Sequence, residues 1–274
     1  MSDAYEKVVA RRDDDDGRIA HVDLDAPAQR NVLDLELLSE LLDAIRRADA
    51  DPDVQGVVLG STSDDVFCAG GSLHELKDLD VERGNQFLTA YIETVDAMWQ
   101  SGKPVVAAVS GDCVAGGNEL VLGCDLVVAG DSARFGQPEV GVGSTAAGGG
   151  VQMLPLVVGM QRARDLLLTG RLLSAEEAAE WGLVARVVDD DRVADEAADV
   201  VRTIVDEKSP QAYRVIKSML KRWNNLAMLN REVDRELTAA VWASEEFTER
   251  ANAFLDREPY EPRSFSGVFP PSDD

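Results

Sequence analysis

The sequence predicts an α/β fold closed by a helical region, and three observations carry that expectation. Up to about residue 190, short apolar runs alternate with stretches whose apolar residues recur at helical spacing, the grammar of strands joined by crossover helices. Two buried strands are followed by glycine-rich turns, Ala69-Gly70-Gly71 and Ala115-Gly116-Gly117. Beyond residue 190 the chain reads as successive amphipathic helices with no strand between them. At 274 residues it is long enough to bury a full core.

Taken in order, residues 5–10 and 18–25 read as strands around the acidic turn 13–17. Asp34 is a helix cap, and Leu37, Leu38, Leu41, Leu42 and Ile45 lie on one face of a helix reaching Ala50. A buried strand at 54–59 opens into a loop from 60 to 72. Helical patterns then cover 73–79 and about 83–100. The run Val105–Val109 is a second buried strand, and its turn leads into a helix at 118–123. A strand at 125–129 follows, and Gly148-Gly149-Gly150 opens a further helix. Helices are expected at 192–207, 209–223 and 228–257. Residues 259–274, with four prolines, read as an extended tail.

Composition narrows the function. With 51 acidic against 27 basic side chains the net charge is −24. Nucleic acid and anionic membranes are therefore poor partners, since both need a basic face. The acid surplus and only six lysines fit a surface hydrated at high salt, and a halophilic host is expected. No apolar run reaches the length of a membrane span. The first residues lack a basic region followed by an apolar stretch, so a cytoplasmic protein is expected. Cys68, Cys113 and Cys124 are odd in number and show no C-x-x-C spacing, which leaves a metal site or disulfide framework without material.

Chemistry is also limited by the two histidines, His21 and His74. A Ser-His-Asp hydrolase has almost nothing to build on, and no Walker or G-x-G-x-x-G sequence supports a nucleotide cradle. What remains is glycine turns with carboxylates beside them. A turn of this kind can point unpaired backbone N–H groups into a cleft, and two such donors on one oxygen form an oxyanion hole. Taken alone, Gly-Gly at such a turn is ordinary turn chemistry. Glu119 sits amid Leu120, Val121 and Leu122, and Glu139 follows Pro138. In isolation, Glu119 reads first as a structural acid complementing a helix start, and Glu139 is likewise readable as a solvated first-turn acid.

The order of these parts decides more than any one of them. Phe67-Cys68-Ala69-Gly70-Gly71-Ser72-Leu73-His74-Glu75-Leu76, Lys103-Pro104-Val105-Val106-Ala107-Ala108-Val109-Ser110-Gly111, Ala115-Gly116-Gly117-Asn118-Glu119-Leu120 and Phe135-Gly136-Gln137-Pro138-Glu139 follow one another in the chain. This series resembles the enoyl-CoA hydratase/isomerase (crotonase) family over about residues 5–258. The pattern departs from the family's at Ser72, where Asp is common, at Gly71, where Ala is usual, at Ala146-Ala147, typically Pro-Gly, and at Met153, a frequent Arg.

The resemblance implies a crotonase-like ββα superhelix with a C-terminal helical region. Residues 1–190 would form the core with its acyl-CoA site, 191–258 a helical trimerisation or lid region, and 259–274 the tail. It implies that the N–H groups of Gly71 and Gly116 bind the thioester oxygen and that Glu119 and Glu139 are the catalytic carboxylates. Groups around Ala69, Gly71 and Leu73 would bind the adenine, with Lys77 and Arg257 as candidates for the phosphates. The implied reaction is hydration of a 2-enoyl-CoA to a 3-hydroxyacyl-CoA in acyl-CoA metabolism, with fatty-acid β-oxidation as the expected setting. An enoyl-CoA isomerase and a non-catalytic acyl-CoA-binding subunit are the alternatives. No resident cofactor or metal is expected, coenzyme A being part of the substrate, and the implied assembly is a homotrimer or a hexamer.

Overall fold

The structure, a computed structural model, describes residues 5–146, 148–261 and 263–264. Ala147 and most of the tail expected at 259–274 lie outside the described residues. The chain begins with the antiparallel pair β1 (Val8–Arg12) and β2 (Ile19–Leu24), then α1 (Leu35–Ala50). The Asp34 side chain accepts the Leu37 N–H at 2.8 Å and starts α1 where the sequence predicts. Next come β3 (Gly56–Ser61), β4 (Val66–Cys68), the single turn α2 (Leu73–Leu76) and α3 (Val81–Gln100). Asp80 caps α3 through the Arg83 N–H, so this helix starts two residues earlier than its apolar pattern suggests.

The same alternation then repeats. β5 (Val105–Val109) and β6 (Asp112–Val114) precede α4 (Gly116–Leu122); β7 (Leu126–Gly130) and β8 (Arg134–Gly136) precede α5 (Gly150–Val158) and α6 (Met160–Thr169). β9 (Leu172–Ser174), α7 (Ala175–Glu180) and β10 (Arg186–Val188) close the series. The pairs β3/β4, β5/β6 and β7/β8 each send their first strand to a six-stranded sheet of order β1-β2-β3-β5-β7-β10 and their second to a four-stranded sheet of order β4-β6-β8-β9, while β9 joins the small sheet and β10 the large one. Pairing is parallel except for β1–β2 and β8–β9. This is a ββα superhelix.

Burial on both faces explains the continuous apolar runs. Val57, Leu59, Val105, Ala107 and Val109 face α1 and α3, while Val58, Val106, Ala108 and Val128 pack against Val193, Ala197 and Val201 of α8 (Val193–Glu207). Central parallel strands are covered in this way because crossover helices lie on both sides. α8 is therefore a layer of the core, so the boundary expected at 190/191 divides the chain but not the packing.

The last helices are α9 (Pro210–Ala227), α10 (Arg231–Trp242) and α11 (Glu245–Asp256). The single helix expected over 228–257 is broken at Ala243-Ser244, where the Ser244 hydroxyl accepts the Phe247 N–H and starts α11. α10 and α11 return over α3 and α2, and Trp242 packs edge-on against Phe87 at 5.7 Å between ring centroids. Among the described residues no helix is long and apolar enough to cross a membrane.

Candidate active site

The two glycine turns predicted from sequence lie side by side. In the first, Gly70 adopts φ +93°, a conformation that a side chain would strain. In the second, Gly117 packs so closely on β4 that a Cβ would lie 2.4 Å from the Cys68 carbonyl oxygen. The first turn is pinned by Asn31, whose amide donates to the Phe67 carbonyl at 2.9 Å and accepts the Ala26 N–H at 2.7 Å. Around it the N–H groups of Ala69 and Ser72 are spent on Arg30 and Leu33 carbonyls.

The N–H of Gly71 finds no acceptor among the described residues, and that of Gly116 is the first of α4, where no intrahelical partner exists. Both residues line one cleft of about 1030 Å³. Ala115, the residue before α4, is held at φ 52° and ψ −126°, an unusual conformation for a residue with a side chain. Its own N–H goes to the Gly136 carbonyl at 2.9 Å.

Glu119 and Glu139 line the same cleft and are only 3% and 8% exposed. Glu119 is carried by the first turn of α4. Its Oε1 accepts the Gly150 N–H at 2.6 Å, and its Oε2 lies 3.2 Å from the Tyr91 hydroxyl. Glu139 sits in the turn Pro138–Val142 after β8. The Gln137 amide, oriented so that both its polar atoms are satisfied, donates to Glu139 Oε1 at 2.8 Å. Burial pushes Glu119 up to about 7, with the N–H of Gly150 opposing that rise. Burial, reinforced by the charge of Glu119, raises Glu139 well above the usual carboxylate range. Two acids in one apolar cleft thus hold protons near neutrality, the condition for proton transfer in both directions.

Leu73 and Ala69 lie on the cleft wall, and so does Ser72, which makes no side-chain cap to α2. Lys77 is absent from the lining, and its Nζ donates to Asn252 Oδ1 of α11 at 2.9 Å. Arg257 ends α11 in a left-handed conformation and is likewise absent from the lining. The cations on the cleft are instead Lys7, paired with Asp34 and Glu36, and Arg30, paired with Asp112. No local motif marks either one. Ala146 and Met153 are buried. Tyr91 is also a lining residue that the sequence reading passed over.

The sequence model of the enoyl-CoA hydratase/isomerase family matches residues 14–263. The chain belongs to that family. As an enoyl-CoA hydratase/isomerase family member it is similar to a probable enoyl-CoA hydratase of Rhizobium meliloti (strain 1021), 34% identical over 239 residues that span 87% of this chain and 92% of the relative. The short-chain-enoyl-CoA hydratase of Clostridium acetobutylicum is 33% identical over 207 residues, 76% of this chain and 79% of its own. Among solved structures, an enoyl-CoA hydratase/isomerase from Xanthobacter autotrophicus Py2 superposes with a TM-score of 0.83 at 29% identity, covering 92% of this chain and 94% of that one. The ββα superhelix is thus the crotonase fold of the enoyl-CoA hydratases and isomerases.

Proposed function

We propose that this protein is an enoyl-CoA hydratase that adds water across the double bond of a 2-enoyl-CoA. The observation that carries the reading is the convergence of two proton-holding carboxyl groups, Glu119 and Glu139, on a cleft that also receives the unspent N–H groups of Gly71 and Gly116. The thioester oxygen accepts those two N–H groups. As the water oxygen bonds to Cβ, negative charge moves through Cα to the thioester oxygen and an enolate forms. Each preorganised donor is worth about 3–4 kcal/mol of transition-state stabilisation in comparable sites.

One carboxylate takes a proton from the attacking water, and the other carboxylic acid delivers one to Cα. The sum is the 3-hydroxyacyl-CoA, and the two acids have exchanged protonation states. We assign water activation to Glu119 and the Cα proton to Glu139. Ala69, Gly71 and Leu73 line the side of the cleft assigned to coenzyme A, and Lys7 and Arg30 replace Lys77 as the cations within reach of its phosphates. We further propose that three or six copies assemble through α9. That helix buries none of its residues, yet Ile216, Met219, Leu220, Trp223 and Leu226 form an apolar stripe on it.

Incubation with a short 2-enoyl-CoA, followed by the absorbance of the conjugated thioester, tests the reaction. A hydratase consumes that absorbance. An enzyme that leaves it intact but creates it from a 3-enoyl-CoA is an isomerase, and one that does neither while binding the thioester is a binding subunit.

A further inference from the structure

Tyr91 projects from α3 into the gap beside α4, and its position has no role in the chemistry described so far. Its hydroxyl lies 2.5 Å from the Gly116 carbonyl oxygen and 3.2 Å from Glu119 Oε2. The side chain is 4% exposed. The ring fits a slot made by missing side chains: a Cβ on Gly148 would lie 1.9 Å from its Cε1, and one on Gly116 would lie 3.2 Å from its hydroxyl. The hydroxyl is therefore held over the carboxyl group by packing on several sides.

One phenolic proton faces two acceptors. The Gly116 carbonyl can only accept, whereas Glu119 can accept when ionised or donate when protonated. With Glu119 ionised, the tyrosine proton forms a charge-assisted bond to Oε2. With Glu119 protonated on Oε2, the carboxyl donates to the phenolic oxygen, which in turn donates to the Gly116 carbonyl. Oε2 keeps a partner in both states, while Oε1 stays on the Gly150 N–H.

We propose that Tyr91 is a positioning residue that changes hydrogen-bond partner with the protonation state of Glu119 and so keeps its carboxyl group fixed through proton transfer. The proposal rests on the hydratase reading only in making Glu119 a group of the reaction. Other groups act on this pair. Glu139 faces it from the turn after β8, Cys68 from the end of β4, and the N–H groups of Gly148, Gly149 and Gly150 from the start of α5. The N–H groups can only donate, and among the described residues no hydrogen bond joins Glu139 or Cys68 to Oε2.

Tyr91→Phe keeps the ring in its slot and removes only the hydroxyl. In protein with ¹³C-labelled glutamate carboxyls, the resonance missing from Glu119→Gln reports Glu119 directly. Loss of a charge-assisted bond weakens the ionised form more than the neutral one, so the titration midpoint of that resonance should rise in Tyr91→Phe. The acid limb of kcat should move up with it, and kcat should fall about tenfold while KM stays within about twofold. Replacing tyrosine by 3-fluorotyrosine, a stronger donor of the same shape, should move the midpoint down. An unchanged midpoint in both proteins would overturn the proposal and leave Tyr91 as packing. Wild-type protein without turnover on any enoyl-CoA would overturn the hydratase reading instead, and the carboxyl titration would still decide for or against Tyr91.

Discussion

Glu119 and Gly150 are joined by a 2.6 Å hydrogen bond from the N–H that opens α5 to Oε1 of a carboxyl group carried on α4. Two helices separated by two strands therefore meet at one acid. The bond also fixes which residue can stand at 150: a Cβ there would lie 2.8 Å from a terminal amide atom of Gln137 and 3.0 Å from Glu119 Oε1.

Gly150→Ala should reverse the usual sign of that substitution. In an open helix, alanine gains about 1 kcal/mol over glycine. Here the methyl group pushes on both Gln137 and Glu119, and overpacking of this kind costs about 1–3 kcal/mol. Urea unfolding should show a loss of stability, and kcat should fall with it. A variant more stable than wild type and equally active would contradict the geometry.

Glu119→Gln should stabilise the protein in a pH-dependent way. Its carboxyl is held above the unfolded value by burial, so between about pH 4.5 and its folded value near 7 the unfolded chain releases a proton that the folded one keeps. Wild-type stability therefore falls as pH rises through that window. Glutamine removes this loss, and the Tm advantage of the variant should widen from pH 5 to pH 8. A constant difference across that range would contradict the raised value.

Ala115→Gly should relieve strain at the turn that exposes the Gly116 N–H. Backbone in sparsely populated regions costs about 1–3 kcal/mol, and glycine returns about 0.4–1 kcal/mol of that to the unfolded chain. With φ at 52° and ψ at −126°, the net expectation is a gain of about 1 kcal/mol in urea unfolding. A loss of stability would show that Ala115 is not strained.

Trp223→Glu with Leu220→Glu should break the proposed assembly. Both side chains are more than 60% exposed on α9 and far from Glu119 in the chain, so each copy should keep its own fold. Sedimentation should show trimers or hexamers for the wild type and monomers for the variant. Monomeric wild type would contradict the assembly.

The large sheet was legible because its strands are covered on both faces and so read as unbroken apolar runs, as at Val105–Val109. The small sheet was not, because Val66–Cys68, Asp112–Val114, Arg134–Gly136 and Leu172–Ser174 have three residues each, too few to carry a period of two. Gly71, Gly116, Glu119 and Glu139 could be singled out because each lies in a continuous motif. Tyr91 could not. On the apolar face of α3 it reads as one more core aromatic, and the partners of its hydroxyl lie 25 and 28 residues away. Lys77 was misplaced for the opposite reason: its distance from Gly71 in sequence is short, but its Nζ donates to Asn252.

The central claim is that Glu119 and Glu139 together move the protons of hydration. Turnover of a short 2-enoyl-CoA by Glu119→Gln and by Glu139→Gln, with binding of the 3-hydroxyacyl-CoA product followed by calorimetry on the same preparations, tests it most directly. Each variant should lose about 10²–10⁴-fold in kcat, the size of a general acid–base contribution, and bind product almost as tightly as wild type. Near wild-type turnover in either variant would remove that residue from the mechanism and contradict the two-carboxylate account.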